Sequence, residues 1–334
     1  MKGGEMLRVA VIDDYMRRVE ASADWSAVKA FSQVEFFHDH LTSEDDIAAR
    51  LAPYDIVVAE RERTAFPASL LARLPKLKLL VATGTDNWVI DFEAASRQGV
   101  IVTFTGAVMS AMPELAWGLI LSLSRRIAWD HAVIQNGGWQ TGPGKALHGG
   151  TFGVLGLGVA GSQMVQIARA FGMRCIAWSQ NLTAEQAKLA GAHRVELDEL
   201  LATADVVSIQ LVLSDRTRGL LGARELALMK PTALLVNTSR GPIVQEKALI
   251  DALESKRIWG AGLDVYEVEP LPASHPFRKL ENVVLTPHTG YVTERQLEVF
   301  YTQAVENIVA FVNGTPIRVA KEGYSASKKK AMAV

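Results

Sequence analysis

The chain is short of cysteine, of net charge and of long hydrophobic runs, and each shortage removes a class of protein. One cysteine among 334 residues, Cys175, leaves no internal disulfide to form and fits a reducing compartment. It stands in the apolar stretch RCIAW, which reads as a buried structural thiol and not a nucleophile. With 35 basic and 36 acidic residues the formal net charge is -1, so no long-range field draws the protein to nucleic acid or to an anionic membrane. The longest apolar segment runs from Leu115 to Leu123, far short of the about 20 residues that a membrane span requires. MKGGEMLRVAVIDDY reaches two aspartates before any apolar stretch develops, so no secretory leader is expected. A cytoplasmic protein is the expectation. No His, Cys or carboxylate cluster has metal-ligand spacing, so no metal is expected, and no G-x-S-x-G elbow points to a hydrolase. The tail SASKKKAMAV reads as a solvated end.

What is present is an alternating α/β pattern. A hydrophobic share of 49% and a charged share of 21% are those of a globular chain, and the length calls for two domains. LRVAVID, VEFFH, YDIVVA, LKLLVAT and GVIVTF predict strands, with SEDDIAARL and PASLLARL as helices between them. PELAWGLILSLSRRIAWDHAVIQNGGW predicts one long helix followed by a glycine-rich loop. A second series follows, with TFGVLGL, RCIAWS, DVVSIQL, ALLVNTS, GAGLDVY and NVVLTP as strands and SQMVQIARAFG, ELALMK and QEKALIDALES as helices. TERQLEVFYTQAVENIVAFVNG predicts the last helix. Strand and helix in alternation imply parallel sheets covered on both faces.

Two constellations carry chemistry. The first is the glycine turn Gly156-Leu157-Gly158-Val159-Ala160-Gly161, set between a strand and a helix. In that context Gly156 permits the tight turn, Gly158 admits a pyrophosphate and Gly161 lets helix and strand pack, with the phosphate at the positive end of the helix. The expected acidic partner of a ribose is missing, because the second strand ends in Ser179 and Gln180, followed by Asn181. A neutral tip does not repel a 2′-phosphate, and no arginine stands there to grip one, so NAD or NADP is the expected cofactor. The second constellation is Arg240 in NTSRG, Glu269 in DVYEVEP and His288 in LTPHTG. A guanidinium fork suits a carboxylate and polarises a carbonyl. An imidazole titrates near neutral pH and moves a proton. A carboxylate on its other nitrogen fixes the tautomer.

These segments, together with LLVATGTDNWVID, occur in the order found in the D-isomer-specific 2-hydroxyacid dehydrogenases, and the chain closely resembles that family, most densely from Phe152 to Gly290. The resemblance implies a Rossmann-type cofactor domain over 104–296 and a flavodoxin-like substrate domain from 1–103 with 297–334, both doubly wound parallel sheets. It implies hydride transfer between the nicotinamide cofactor and a small D-2-hydroxy or 2-oxo acid such as glyoxylate or hydroxypyruvate, bound in the cleft between the domains of a homodimer. Arg240, Glu269 and His288 match the family's catalytic set residue by residue. Thr83, Gly84 and Thr85 match a loop whose backbone N–H groups meet the substrate carboxylate, and Arg240 and His288 contact the substrate too. Thr238 and Gly290 line the cofactor, and Asp264 matches an aspartate near the nicotinamide carboxamide, with turn capping as its plainer reading. Tyr54, Arg61, Met109 and Met112 are further pocket candidates. The sequence departs from the family where Pro113, Glu114 and Leu115 replace an alanine–glutamate–histidine run. A different kind of protein, a nucleotide-sensing regulatory binding protein of the same fold, keeps the same residues and stands as the alternative.

Overall fold

In the computed structural model, which describes residues 6–321, twelve short strands fall into two sheets. The lysine-rich tail lies outside the described residues. By internal contacts the chain divides into two compact units, Met1–Val108 with Val292–Val334, and Met109–Tyr291.

The first unit is built on β1 (Leu7–Val11), β2 (Ser32–Phe36), β3 (Ile56–Ala59), β4 (Leu79–Ala82) and β5 (Ile101–Phe104). All pair in parallel, in the order β2-β1-β3-β4-β5, which is the flavodoxin-like arrangement. Every residue of β3 and β4 is buried. Covering a parallel sheet on both faces demands this, and it is why the strands read as unbroken apolar runs. Helix Glu294–Val312 buries Leu297, Phe300, Tyr301, Ala304 and Ile308, one face at helical spacing. Its start is fixed by Thr293, whose hydroxyl accepts the Gln296 N–H at 3.2 Å. Gln296 Oε1 then accepts the N–H of Val108 at 2.6 Å, and Gln303 Oε1 that of Gly106 at 2.7 Å. These bonds hold segments 104–108 and 292–296 to the first unit, on the other side of the boundaries expected from sequence.

The second unit contains β6 (Thr151–Leu155), β7 (Arg174–Trp178), β8 (His193–Arg194), β9 (Val206–Ile209), β10 (Leu234–Asn237), β11 (Gly260–Leu263) and β12 (Val283–Leu285). The parallel order is β12-β11-β10-β9-β6-β7-β8, so the chain steps to opposite sides of β6. Ligands bind at such switch points, at the carboxyl ends of the strands. Cys175 is 4% exposed in β7, and burial pushes its thiol up to about 11, so it stays protonated and inert at neutral pH.

The long helix predicted from PELAW onward is two helices, Ala111–Ser124 and Ile127–Gln135. Between them Arg126 adopts a left-handed φ of 60°. The cause lies outside the helix, since Ser124 gives its carbonyl to the N–H of Lys145 at 2.6 Å. The first helix is buried along most of its length, whereas the second has no buried residue.

Candidate active site

Gly156 follows β6 with φ +95°, and its N–H donates to Trp178 O at 2.8 Å, across to the end of β7. A Cβ on Gly161 would stand 2.1 Å from Gly156 O, so helix Val159–Ala170 approaches the strand as closely as only glycine allows. Gly158 differs. A Cβ there would meet nothing within 4 Å, and the residue is exposed at the helix N-cap. Packing does not require this glycine, so the open space above it, beside the unpaired N–H groups of the first helical turn, fits a pyrophosphate. Leu157, Val159 and Ala160 complete that turn, with Val159 60% exposed.

Ser179 and Gln180 follow β7, and the turn closes through Leu182 N–H to Ser179 O at 3.1 Å. A cation not legible from the local sequence joins this turn. Arg194 of β8 donates to Leu182 O at 2.9 Å and pairs with Glu196 at 2.8 Å.

β10, β11 and β12 are neighbours, so their carboxyl ends span roughly 10 Å at the usual strand spacing, and each delivers one segment of the candidate site. After β10, Asn237 clamps the turn by donating to Arg240 O at 2.9 Å and accepting from Ser239 N–H at 3.0 Å. Arg240 Nη1 donates to Ser239 O at 2.8 Å, and the residue is half-buried. Thr238, buried, donates to Met112 Sδ at 3.1 Å.

After β12 comes His288, whose Nδ1 lies 2.5 Å from Glu269 Oε2. Nδ1 donates this bond to the carboxylate, and Nε2 is the ring nitrogen that Glu269 does not engage. Both side chains are 32% exposed. The other Glu269 oxygen, Oε1, accepts the Tyr266 N–H at 2.9 Å. His288 itself has φ +54°.

Asp264, 1% exposed at the end of β11, supports this turn. Its Oδ1 accepts Thr286 Oγ1–H at 2.6 Å and Thr289 N–H at 2.8 Å, and its Oδ2 accepts Gly290 N–H at 2.8 Å. Burial raises its pKa; these three bonds and the nearby His288 oppose the rise without cancelling it. Asp264 thus caps the turn that carries His288, with Gly290 among its donors.

In the first unit, Thr83, Gly84 and Thr85 follow β4. The Thr83 N–H donates to Ala59 O at 3.0 Å and the Gly84 N–H to Thr105 Oγ1 at 2.8 Å. Both amides have acceptors inside the fold. Their partners sit on neighbouring strand ends that local sequence does not reveal. Thr85 alone of the three is exposed. Of the other pocket candidates, Tyr54 is 3% exposed, with its hydroxyl bonded to Glu35. Among the described residues, no group of three or more His, Cys, Asp or Glu side chains is placed to hold a metal ion, and no helix is long and apolar enough to cross a membrane.

Residues 117–290 match the family described as D-isomer specific 2-hydroxyacid dehydrogenase, NAD binding domain. A glyoxylate reductase from Aeropyrum pernix is 42% identical over 257 residues, 73% of this chain and 76% of the relative. A putative D-3-phosphoglycerate dehydrogenase oxidoreductase from Ralstonia solanacearum is similar in structure, with a TM-score of 0.89 and 34% identity over 96% of this chain and 98% of that one. An acyclic imino acid reductase solved with NADPH and D-Arg gives a TM-score of 0.73 at 25% identity, over 94% of this chain and 99% of that one.

Proposed function

Since the chain belongs to the D-isomer-specific 2-hydroxyacid dehydrogenases, we propose that the edge formed by β10, β11 and β12 reduces a small 2-oxo acid of the glyoxylate or hydroxypyruvate class. The protein is an oxidoreductase acting on CH–OH donors, with NAD or NADP as cofactor. The regulatory alternative is not favoured. The observation that carries the proposal is the 2.5 Å contact between His288 Nδ1 and Glu269 Oε2.

The nicotinamide cofactor supplies or accepts the hydride when bound. The glycine turn Gly156–Gly161 would receive its pyrophosphate, with Ser179 and Gln180 at the ribose and Thr238 lining the cofactor. Arg240 would hold the substrate carboxylate and polarise the 2-oxo group. His288 Nε2 would give a proton to the carbonyl oxygen as the carbon is reduced, and take it back in the other direction. Glu269 holds the imidazole and balances its positive charge. Thr83, Gly84 and Thr85 are the first-unit candidates for the substrate carboxylate, Thr85 being the exposed one.

The partner we propose besides the small acid is a second copy of the chain, covering Ile127, Ile134 and Trp139, which are 54%, 54% and 74% exposed. No nucleic-acid or membrane partner is proposed, and the buried lone thiol is consistent with a cytoplasmic setting.

The test is a panel of glyoxylate, hydroxypyruvate, pyruvate and phenylpyruvate with NADH and NADPH, on wild type and on His288→Ala. Cofactor oxidation with at least one acid is expected, falling about 10²–10⁴-fold in the variant. Cofactor binding without oxidation by any acid sinks the reading, and near-full rate in His288→Ala removes the proton role from that residue.

A further inference from the structure

We propose that Tyr266 is the positioning residue that ties the segments carrying Arg240, Glu269 and His288 into one arrangement, an inference that rests on reading those three as the catalytic set. Three parts of this residue meet the three segments. Its N–H donates to Glu269 Oε1 at 2.9 Å, which leaves Oε2 to His288. Its carbonyl lies against the residue after Arg240, because a Cβ on Gly241 would stand 2.1 Å from both Tyr266 C and Tyr266 O. Its phenol oxygen is 2.8 Å from Thr286 O, two residues before His288, and 3.1 Å from Leu263 O, just before Asp264.

The phenol contact matters because of where β12 stands. β12 is the edge strand, three residues long and only half-buried, and it pairs with β11 alone. Its ladder continues as far as Thr286 N–H to Leu263 O at 2.9 Å. The Tyr266 hydroxyl adds a bridge between the same two strand ends, on the His288 side. At 6% exposure the ring is enclosed, and burial, with the carboxylates of Asp264 and Glu269 nearby, pushes the phenol up. The hydroxyl therefore keeps its proton and serves as a donor. A phenylalanine would fill the same space and leave the end of β12 one bond poorer.

Tyr266→Phe removes only the hydroxyl and keeps the ring and the backbone bond to Glu269. With the 2-oxo acid that the wild type reduces, kcat is expected to fall about five- to tenfold, the scale of one lost hydrogen bond. Cofactor KM stays unchanged, and the proton-transfer limb of the kcat/KM profile moves with pH as the His288–Glu269 pair loosens. Gly241→Ala presses on the Tyr266 carbonyl and is expected to lower kcat and raise the KM of the acid together. A readout free of turnover is the downfield proton resonance of His288 Nδ1–H, which should shift or broaden in Tyr266→Phe while circular dichroism stays that of wild type. A Tyr266→Phe protein with wild-type rate, pH profile and resonance overturns the proposal. So does a rate loss matched by a loss of folded protein, with profile and resonance unchanged. If the wild type reduces no 2-oxo acid, the catalytic reading falls, and the resonance alone then decides whether Tyr266 positions His288.

Discussion

The two units place polar residues at the same edge of the same kind of sheet and use them differently. In the first unit the carboxyl edge is closed upon itself. Asp13, 2% exposed, accepts from Thr64 at 2.7 Å and meets His40 at 2.8 Å, while Glu60, 1% exposed, accepts from Tyr301 at 2.8 Å. Even the amides of Thr83 and Gly84 end on protein acceptors. In the second unit the buried polar groups Asn237 and Asp264 serve neighbouring turns, and those turns hold Arg240 and His288, which with Glu269 on the Tyr266 N–H are each only partly covered. A doubly wound edge thus becomes chemical when its innermost polar groups position others in place of pairing among themselves.

That contrast can be broken by mutation. Arg240→Lys keeps the charge and loses the planar fork, so kcat/KM for the acid should drop about 10²–10³-fold with little change in melting temperature. An equal loss of stability would make the second edge structural like the first. Asp13→Ala should do the reverse. It strands His40 and Thr64 and should cost about 1–3 kcal/mol of unfolding free energy in a denaturant titration, with cofactor affinity kept; lost affinity at full stability would show that the first edge binds.

A smaller effect is expected at the β7 tip. Ser179→Asp adds a charge where a 2′-phosphate would sit, so the NADPH/NADH ratio of kcat/KM should fall about tenfold, the scale of one charged contact. Arg194→Ala should push the ratio the same way more weakly, and an unchanged ratio in both removes this strand end from cofactor choice.

The smallest effect concerns the opposite, amino edge of the second sheet. Burial there raises the pKa of Asp205, but the Lys230 bond, the Thr151 N–H and the nearby charges outweigh it, so the net shift is downward. A depressed carboxylate stabilises the fold above its unfolded pKa, and that contribution disappears as pH falls through the folded value. Lys230→Met should therefore lower the unfolding free energy at pH 7, read from a denaturant titration, by no more than about 1 kcal/mol, since the pair is well exposed. The difference should shrink towards pH 3; one that grew on acidification would reverse the sign assigned here.

Much of this is legible in the sequence alone. Strands buried on both faces announce themselves as apolar runs, and Arg240, Glu269 and His288 stand in segments whose order marks the family. What stayed hidden depended on partners distant in sequence. The break at Arg126 needs Lys145 to take the Ser124 carbonyl. The two-residue strand β8 is too short to show alternation, and it is what brings Arg194 to the β7 tip. The closure of the Thr83 and Gly84 amides needs β3 and β5 beside β4. Tyr266 reads as one more apolar residue until its hydroxyl is seen beside Thr286.

The backbone of His288 carries one more consequence. Its left-handed φ of 54° is a conformation that a residue carrying a Cβ reaches at a cost of about 1–2 kcal/mol and that glycine reaches freely. The residue best suited to the chemistry is therefore poorly suited to its own turn. His288→Gly should melt higher than wild type by about 2–4 °C while losing about 10²–10⁴-fold in rate. Selection for thermostability alone would erode the enzyme from its active site outward, and any hardened variant of this protein should be screened for the imidazole before it is screened for heat.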